Sequence, residues 1–95
     1  MNIYVDIDNT ICITKGLDYE NSVPIKENIM KINTLYKNNR ITYWTARGSV
    51  SKKDYYQLTF NQLKLWGCEF HHLSVGEKPP YDLLICDKTK RIEEI

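Results

Sequence analysis

The sequence predicts an α/β protein with a mainly parallel sheet and helices on both faces of that sheet. Four short apolar segments rich in strand-forming residues, 2–8, 41–45, 69–73 and 82–87, have the composition of strands. Two of the intervals between them carry apolar residues at helical spacing. Because strands that alternate with helices are joined by crossover connections, we expect the strands to run parallel. The 95 residues suit one domain, 1–95.

Both predicted helices have recognisable starts. The first follows a polar connection, 12–24, that ends at Pro24, a good first helical residue. Its apolar stripe consists of Ile25, Ile29, Ile32, Leu35 and Tyr36. The second is predicted to begin at Ser51, an N-cap with Asp54 three residues later, and to end at Gly67.

The charge balance and the cysteines restrict the class of protein. The 13 Lys and Arg residues against 12 Asp and Glu give a net charge of +1, which provides no global field for nucleic acid or a membrane surface. The first residues do not resemble a signal peptide, and no apolar run approaches the ~20 residues that span a bilayer. Three cysteines without a repeated spacing favour free thiols, so we expect a cytoplasmic protein.

A zinc site is one alternative for the segment after the second helix. Cys68, His71 and His72 could supply three ligands at short spacing, but no second compact ligand pair accompanies them. The other interpretation is a helix end followed by a strand with one histidine facing outward.

Acidic residues mark the ends of the predicted strands. Asp6 and Asp8 lie two residues apart in an apolar strand, Thr45 ends the second strand, and Asp87 ends the last. In parallel sheets the ligand crevice lies at the carboxyl ends of the strands. Two like charges buried together need compensation, and a hard cation with oxygen ligands, Mg²⁺, provides it. Either aspartate alone could equally be a cap or turn former.

Four segments resemble the motifs of the haloacid dehalogenase superfamily. DIDNT matches its D-x-D-x-T signature, YWTARG its strand ending in Thr or Ser, GEKPP its lysine before a turn, and DLLICDK its acidic strand end. They occur in the family's order. The subgroup that the chain resembles most is small phosphatases of capsular or surface polysaccharide biosynthesis. The resemblance implies a three-layer Rossmann-like fold and a hydrolase acting on a phosphomonoester, such as a phosphosugar, with Mg²⁺ as cofactor.

The resemblance also implies roles for individual residues. Asp6 would attack phosphorus and form an aspartyl-phosphate, and Asp8 would protonate the leaving oxygen and then activate water. Thr45 and Lys78 would hold the phosphoryl group, and Asp6, Asp8 and Asp87 would bind the metal. The residues that would bind substrate are Asn9, Thr10, Ala46 and Arg47. From its own chemistry, Arg47 could bind a phosphate or cap the preceding turn.

The chain departs from the family pattern at two points. The connection from Thr10 to Pro24 is too short for the cap domain of many relatives, so we expect an open site that a second copy of the chain could complete. Cys86 occupies a position where the subgroup usually has an acid, and a thiol is a poor ligand for Mg²⁺.

Two other functions fit parts of the pattern. A receiver-like phosphoacceptor domain also uses Asp, Mg²⁺, Thr and Lys on a parallel sheet, but it expects its phosphorylated Asp on a middle strand and gives Asp8 no role. A degenerate, non-catalytic domain that binds a sugar phosphate or a protein would accommodate Cys86.

Overall fold

The computed structural model of the chain describes residues 1–76 and the backbone of residues 83–85. The strands are β1 (Asn2–Asp6), β2 (Cys12–Ile13), β3 (Val23–Pro24), β4 (Arg40–Thr45), β5 (His72–Val75) and β6 (Leu83–Ile85). The helices are α1 (Lys26–Tyr36) and α2 (Tyr56–Leu65), with one 3₁₀ turn at Tyr19–Asn21. β5, β4, β1 and β6 form a sheet in that order, and every neighbouring pair is parallel. This confirms the α/β class and the parallel sheet.

The register places β1 between β4 and β6. Val5 lies opposite Tyr43 and Asp6 opposite Trp44, so the chain leaves β1 and β4 at the same edge of the sheet. The strands carry alternating apolar residues that join residues of both helices in one buried cluster. Its members are Ile3, Val5, Ile7, Ile11, Cys12, Ile29, Ile32, Ile41, Tyr43, Leu63 and Cys68.

The first strand is shorter than the predicted 2–8. It ends at Asp6, because the amides of Thr10 and Ile11 both donate to the carbonyl oxygen of Ile7 and turn the chain there. Asn9 completes the turn with φ of 64°, a left-handed conformation that Asn accepts more readily than most residues.

The connection 12–24 is more structured than expected. β2 and β3 pair antiparallel, and Pro24 lies in β3 opposite Cys12 instead of starting α1. The amide of Ile25 donates to the carbonyl oxygen of Ile11 over 2.8 Å, which holds the chain extended until the helix begins at Lys26. The prediction that Pro24 is the first helical residue is therefore wrong.

The second helix also starts later than predicted. Lys52 has φ of 62° and its amide donates to the carbonyl oxygen of Gly48, so the chain after Ser51 forms a closed loop and not a helical turn. The carboxylate of Asp54 accepts from the amide of Tyr56, the first residue of α2. Asp54, and not Ser51, supplies the side-chain acceptor at this helix start.

The two remaining strands of the sheet are β5 and β6. β5 occupies His72–Val75 and not 69–73, because the amide of Glu69 donates to the side chain of Asn33 and keeps residue 69 out of the sheet. β6 pairs with β1 at Leu83–Ile85, and the rest of the predicted 82–87 lies outside the described residues. In the described part of the chain, no helix has the length and apolar character to cross a membrane.

Candidate active site

The candidate site lies where β1 and β4 end side by side. Asp6 is the last residue of β1, Thr45 is the last of β4, and Asp8 follows in the turn after β1. Asp6 and Asp8 are half-buried, whereas Val5 and Ile7 beside them are fully buried. The Thr45 hydroxyl donates to the Asp8 carboxylate over 2.9 Å. The motifs that contain Asp8 and Thr45, far apart in sequence, therefore meet at this edge.

The carboxylate of Asp8 is the centre of a hydrogen-bond network. The Nη2 atom of Arg47 lies 2.8 Å from its Oδ1, and Nε of the same guanidinium lies 3.2 and 3.1 Å from its two oxygens. The Thr14 hydroxyl donates to Oδ1 over 2.7 Å. With Thr45 and the thiol of Cys12, whose Sγ lies 3.9 Å from Oδ1, four side chains donate to one carboxylate. The guanidinium binds it in the forked geometry typical of Arg–carboxylate pairs.

These donors determine the charge of Asp8. Burial acts to raise the pKa of Asp8, but the hydrogen bonds of Arg47 and Thr14, the charge of Arg47 and the hydrogen bond of Thr45 act against it, and the pKa is lowered. Asp8 is therefore ionised at neutral pH, as an acceptor-only group.

Arg47 is buried, with 1% of its surface exposed. Its Nη1 atom donates to the Thr59 hydroxyl over 3.1 Å and to the Gln62 side chain over 2.6 Å. The ring of Tyr19 covers the guanidinium, with its centroid 4.8 Å from Cζ. The structure places this side chain in a protein network that joins Asp8 to α2. The two predicted roles of Arg47, a substrate ligand and a cap of the preceding turn, stay predictions.

The other predicted substrate residues surround this network. The Asn9 side chain accepts from the amide of Thr14, which holds the turn after β1. The hydroxyl of Thr10 is buried and has no hydrogen-bond partner in the described part of the chain, while its carbonyl oxygen accepts from Asn28 of α1. Ala46 follows Thr45 and its carbonyl oxygen accepts from the amide of Ser49.

Several predicted residues lie outside the described part of the chain, namely Lys78, Cys86 and Asp87. Within the described residues, no group of three His, Cys, Asp or Glu side chains could hold a metal ion. Cys68, His71 and His72, the ligands of the zinc alternative, therefore do not form such a group. Nδ1 of His71 instead accepts from the amide of Ile41, and its ring stacks on Tyr36. Cys12 and Cys68 are free, as expected.

Three polar residues of the network are absent from the predicted catalytic and binding sets. Thr14, in the connection after β1, is buried against Asp8. Thr59 and Gln62 lie three residues apart on α2, and both are buried. The signal for them is weak but present, because they interrupt the apolar face of an amphipathic helix on its buried side.

Two cavities adjoin the network on the side of the loop between β4 and α2. The first, which we call the loop cavity, has a volume of about 390 Å³ and lies between residues 17–19 and 46–55. It is lined by Leu17, Tyr19, Ala46, Gly48, Ser49, Val50, Ser51, Lys53 and Tyr55. The adjoining cavity, of about 320 Å³, shares Lys53 and Tyr55 with it and reaches Gly76 after β5.

Comparisons of the chain with models of protein families, with curated proteins and with solved structures gave no match.

Proposed function

We propose that the chain is a Mg²⁺-dependent phosphatase of the haloacid dehalogenase superfamily that hydrolyses a phosphomonoester through an aspartyl-phosphate. In this proposal the parallel sheet is the centre of a three-layer, Rossmann-like domain without a cap. One observation carries it: the Asp8 carboxylate, two residues beyond Asp6, receives a hydrogen bond from Thr45 at the end of the neighbouring strand. The nucleophile, the proton-transfer group and a phosphate-binding hydroxyl would then share one edge of the sheet.

The chemistry assigns a different role to each aspartate. A carboxylate oxygen of Asp6 forms a bond to phosphorus as the bond from phosphorus to the ester oxygen breaks. For this step Asp8 must carry a proton, which it gives to the departing oxygen. The resulting Asp8 carboxylate then accepts a proton from water, whose oxygen bonds to phosphorus as the bond from phosphorus to Asp6 breaks and phosphate is released. The donors around Asp8 favour its ionised form, so they oppose the first step and assist the second.

Arg47 changes the charge count of the proposed site. Its guanidinium neutralises Asp8, so the remaining negative groups of the proposed site are Asp6, Asp87 and the substrate phosphate. A phosphate monoester carries a charge of about −2. Lys78 and a divalent cation contribute +3 in total, which brings the charge of the occupied site to about −1. Such a site can bind its anionic substrate and stabilise the transition state electrostatically.

The available oxygens suit magnesium. Asp6 would provide a carboxylate oxygen and Asp8 its backbone carbonyl, since the Asp8 carboxylate is occupied by Arg47. Asp87 would supply the third ligand, and all three are hard oxygen donors of the type that Mg²⁺ prefers. When bound, magnesium would supply positive charge that reduces the repulsion between the Asp6 carboxylate and the phosphate.

The experiment is a hydrolysis assay with p-nitrophenyl phosphate and Mg²⁺, followed by a screen of phosphorylated sugars and nucleotides. We expect Asp6→Asn to abolish turnover, because an amide cannot attack phosphorus, and to preserve the fold. The control is Glu69→Gln, which makes the same change from acid to amide at an exposed residue before β5.

Two results would contradict the proposal. Ordinary activity in Asp6→Asn would show that Asp6 is not the nucleophile. A folded wild-type protein without activity towards any substrate would favour the non-catalytic binding domain. A phosphoryl-enzyme that persists for hours would favour the receiver-like domain, because hydrolysis by Asp8 should clear it within seconds.

A further inference from the structure

We propose that the loop cavity binds the leaving group of the phosphomonoester, and that this leaving group is a ring that carries a second anionic group. The inference rests on the proposed function, because it names the substrate class of that same site.

The position of the loop cavity is the first argument. Ala46 in its wall directly follows Thr45, whose hydroxyl donates to Asp8. Tyr19, also in the wall, covers the guanidinium that binds Asp8. A substrate whose phosphate lay at the ends of β1 and β4 would therefore extend its leaving group into this cavity.

The size and the walls indicate a ring. A volume of about 390 Å³ is in the lower range of small-molecule sites. The rings of Tyr19 and Tyr55 meet edge to face, with centroids 5.0 Å apart, and form an aromatic corner. Leu17 and Val50 add apolar side chains that are 79% and 93% exposed. A ring with an apolar face would cover these side chains and pack against the aromatic corner.

The second anionic group follows from Lys53, which lines both cavities. Between residues 1 and 76 the only ion pair is that of Arg47 with Asp8, so no carboxylate in this range neutralises the ammonium of Lys53. Asp54 lines only the adjoining cavity, and its carboxylate already accepts from the amide of Tyr56. Lys53 is exposed, so its ammonium is available to a carboxylate or phosphate on the bound ring.

The loop is held in shape before anything binds. Gly48 has φ of 84°, and a Cβ added there would clash with the carbonyl oxygen of Lys53, so the two ends of the loop are in close contact. The bond from the amide of Lys52 to the carbonyl oxygen of Gly48, 2.9 Å long, closes it. Binding would therefore require little ordering of the chain, which favours affinity.

The test compares substrates that differ by one charged group. Glucose 1-phosphate, glucuronic acid 1-phosphate and glucose 1,6-bisphosphate share a ring, and the last two add a carboxylate and a phosphate. We expect the wild-type kcat/KM to be about tenfold higher for at least one charged member, and Lys53→Met to bring that ratio close to 1. Whichever charged member is preferred identifies the anionic group. Lys64→Met, at an exposed lysine of α2, is the control and should keep the wild-type ratio.

A binding measurement separates this inference from the proposed function. Calorimetry on Asp6→Asn with glucuronic acid 1-phosphate and glucose 1,6-bisphosphate reports binding without turnover, and Lys53→Met should weaken the tighter of the two about tenfold. If that loss occurs in a protein that hydrolyses nothing, the cavity assignment stands and the phosphatase proposal fails. If p-nitrophenyl phosphate is hydrolysed through Asp6 but Lys53→Met leaves the substrate ratio unchanged, the cavity assignment is refuted.

Discussion

Replacing Arg47 with Met tests whether the network around Asp8 holds the site and the fold together. The substitution keeps a long apolar stem but removes every hydrogen bond of the guanidinium, and it leaves the Asp8 carboxylate without its counter-charge. Removing one partner of a fully buried ion pair costs about 3–5 kcal/mol. The side chain of Asp8 is 21% exposed and can gain water, so we expect the lower value, about 3 kcal/mol.

The measurement is the free energy of unfolding from urea titrations followed by circular dichroism. For a domain of 95 residues, a loss of this size corresponds to a fall in Tm of roughly 12–24 °C. The control is Arg40→Met, the same substitution at an exposed arginine at the start of β4. It should change the unfolding free energy by no more than about 0.5 kcal/mol.

A double-mutant cycle with Asp8→Asn then isolates the pair. Because Asn carries no charge, Asp8→Asn should cost less in the Arg47→Met background than in the wild type, with a coupling energy of about 2 kcal/mol. Additive losses, or an Arg47→Met protein as stable as Arg40→Met, would refute the view that this pair organises the site.

Four further results are expected. Lys78→Met should lower turnover by about 10²-fold, measured with p-nitrophenyl phosphate, if its charge acts on the transition state. Normal activity would indicate that the GEKPP segment is a plain surface turn. Asp87→Ala should abolish the dependence of activity on Mg²⁺ in a metal titration. Gly48→Ala should destabilise the fold in urea by about 2 kcal/mol more than Gly67→Ala, because both have positive φ but only Gly48 faces a close backbone atom. In the metal-free protein, Asp8 should lose its stabilising effect as the pH falls below its ordinary pKa of 3.8 and through its lowered value, so Asp8→Asn should flatten the acid dependence of stability.

The parallel sheet could be predicted because its signal is local. The apolar, β-branched segments that form β1 and β4 can be recognised from six or seven residues each. The helix between them provides the crossover connection of a parallel pair. The hairpin of β2 and β3 could not be predicted in the same way, since strands of two residues have no periodicity. The late start of α2 depends on contact between Gly48 and Lys53, which a capping pattern at Ser51 does not reveal.

The candidate site, too, could be predicted in part. That the segments of Asp8 and Thr45 would meet follows from the carboxyl ends of parallel strands lying at one edge. The burial of Arg47 does not follow, because Arg is among the residues least often fully buried and its sequence neighbours are unremarkable. That Thr59 and Gln62 are its partners depends on the rotation of α2 about its axis, which the sequence indicates only weakly.

The same contacts bear on how the candidate site keeps its shape. The side chain of Gln62 accepts from Arg47 and donates to the carbonyl oxygen of Tyr19 over 2.6 Å, so α2 is tied at once to the site and to the connection after β1. The Ser22 hydroxyl lies 2.7 Å from that of Thr14 and fastens the far end of the connection. A connection tied at both ends acts as a fixed wall. In the proposed phosphatase, the leaving group of the substrate would meet this fixed wall, and the side chains of the wall would contribute to selectivity.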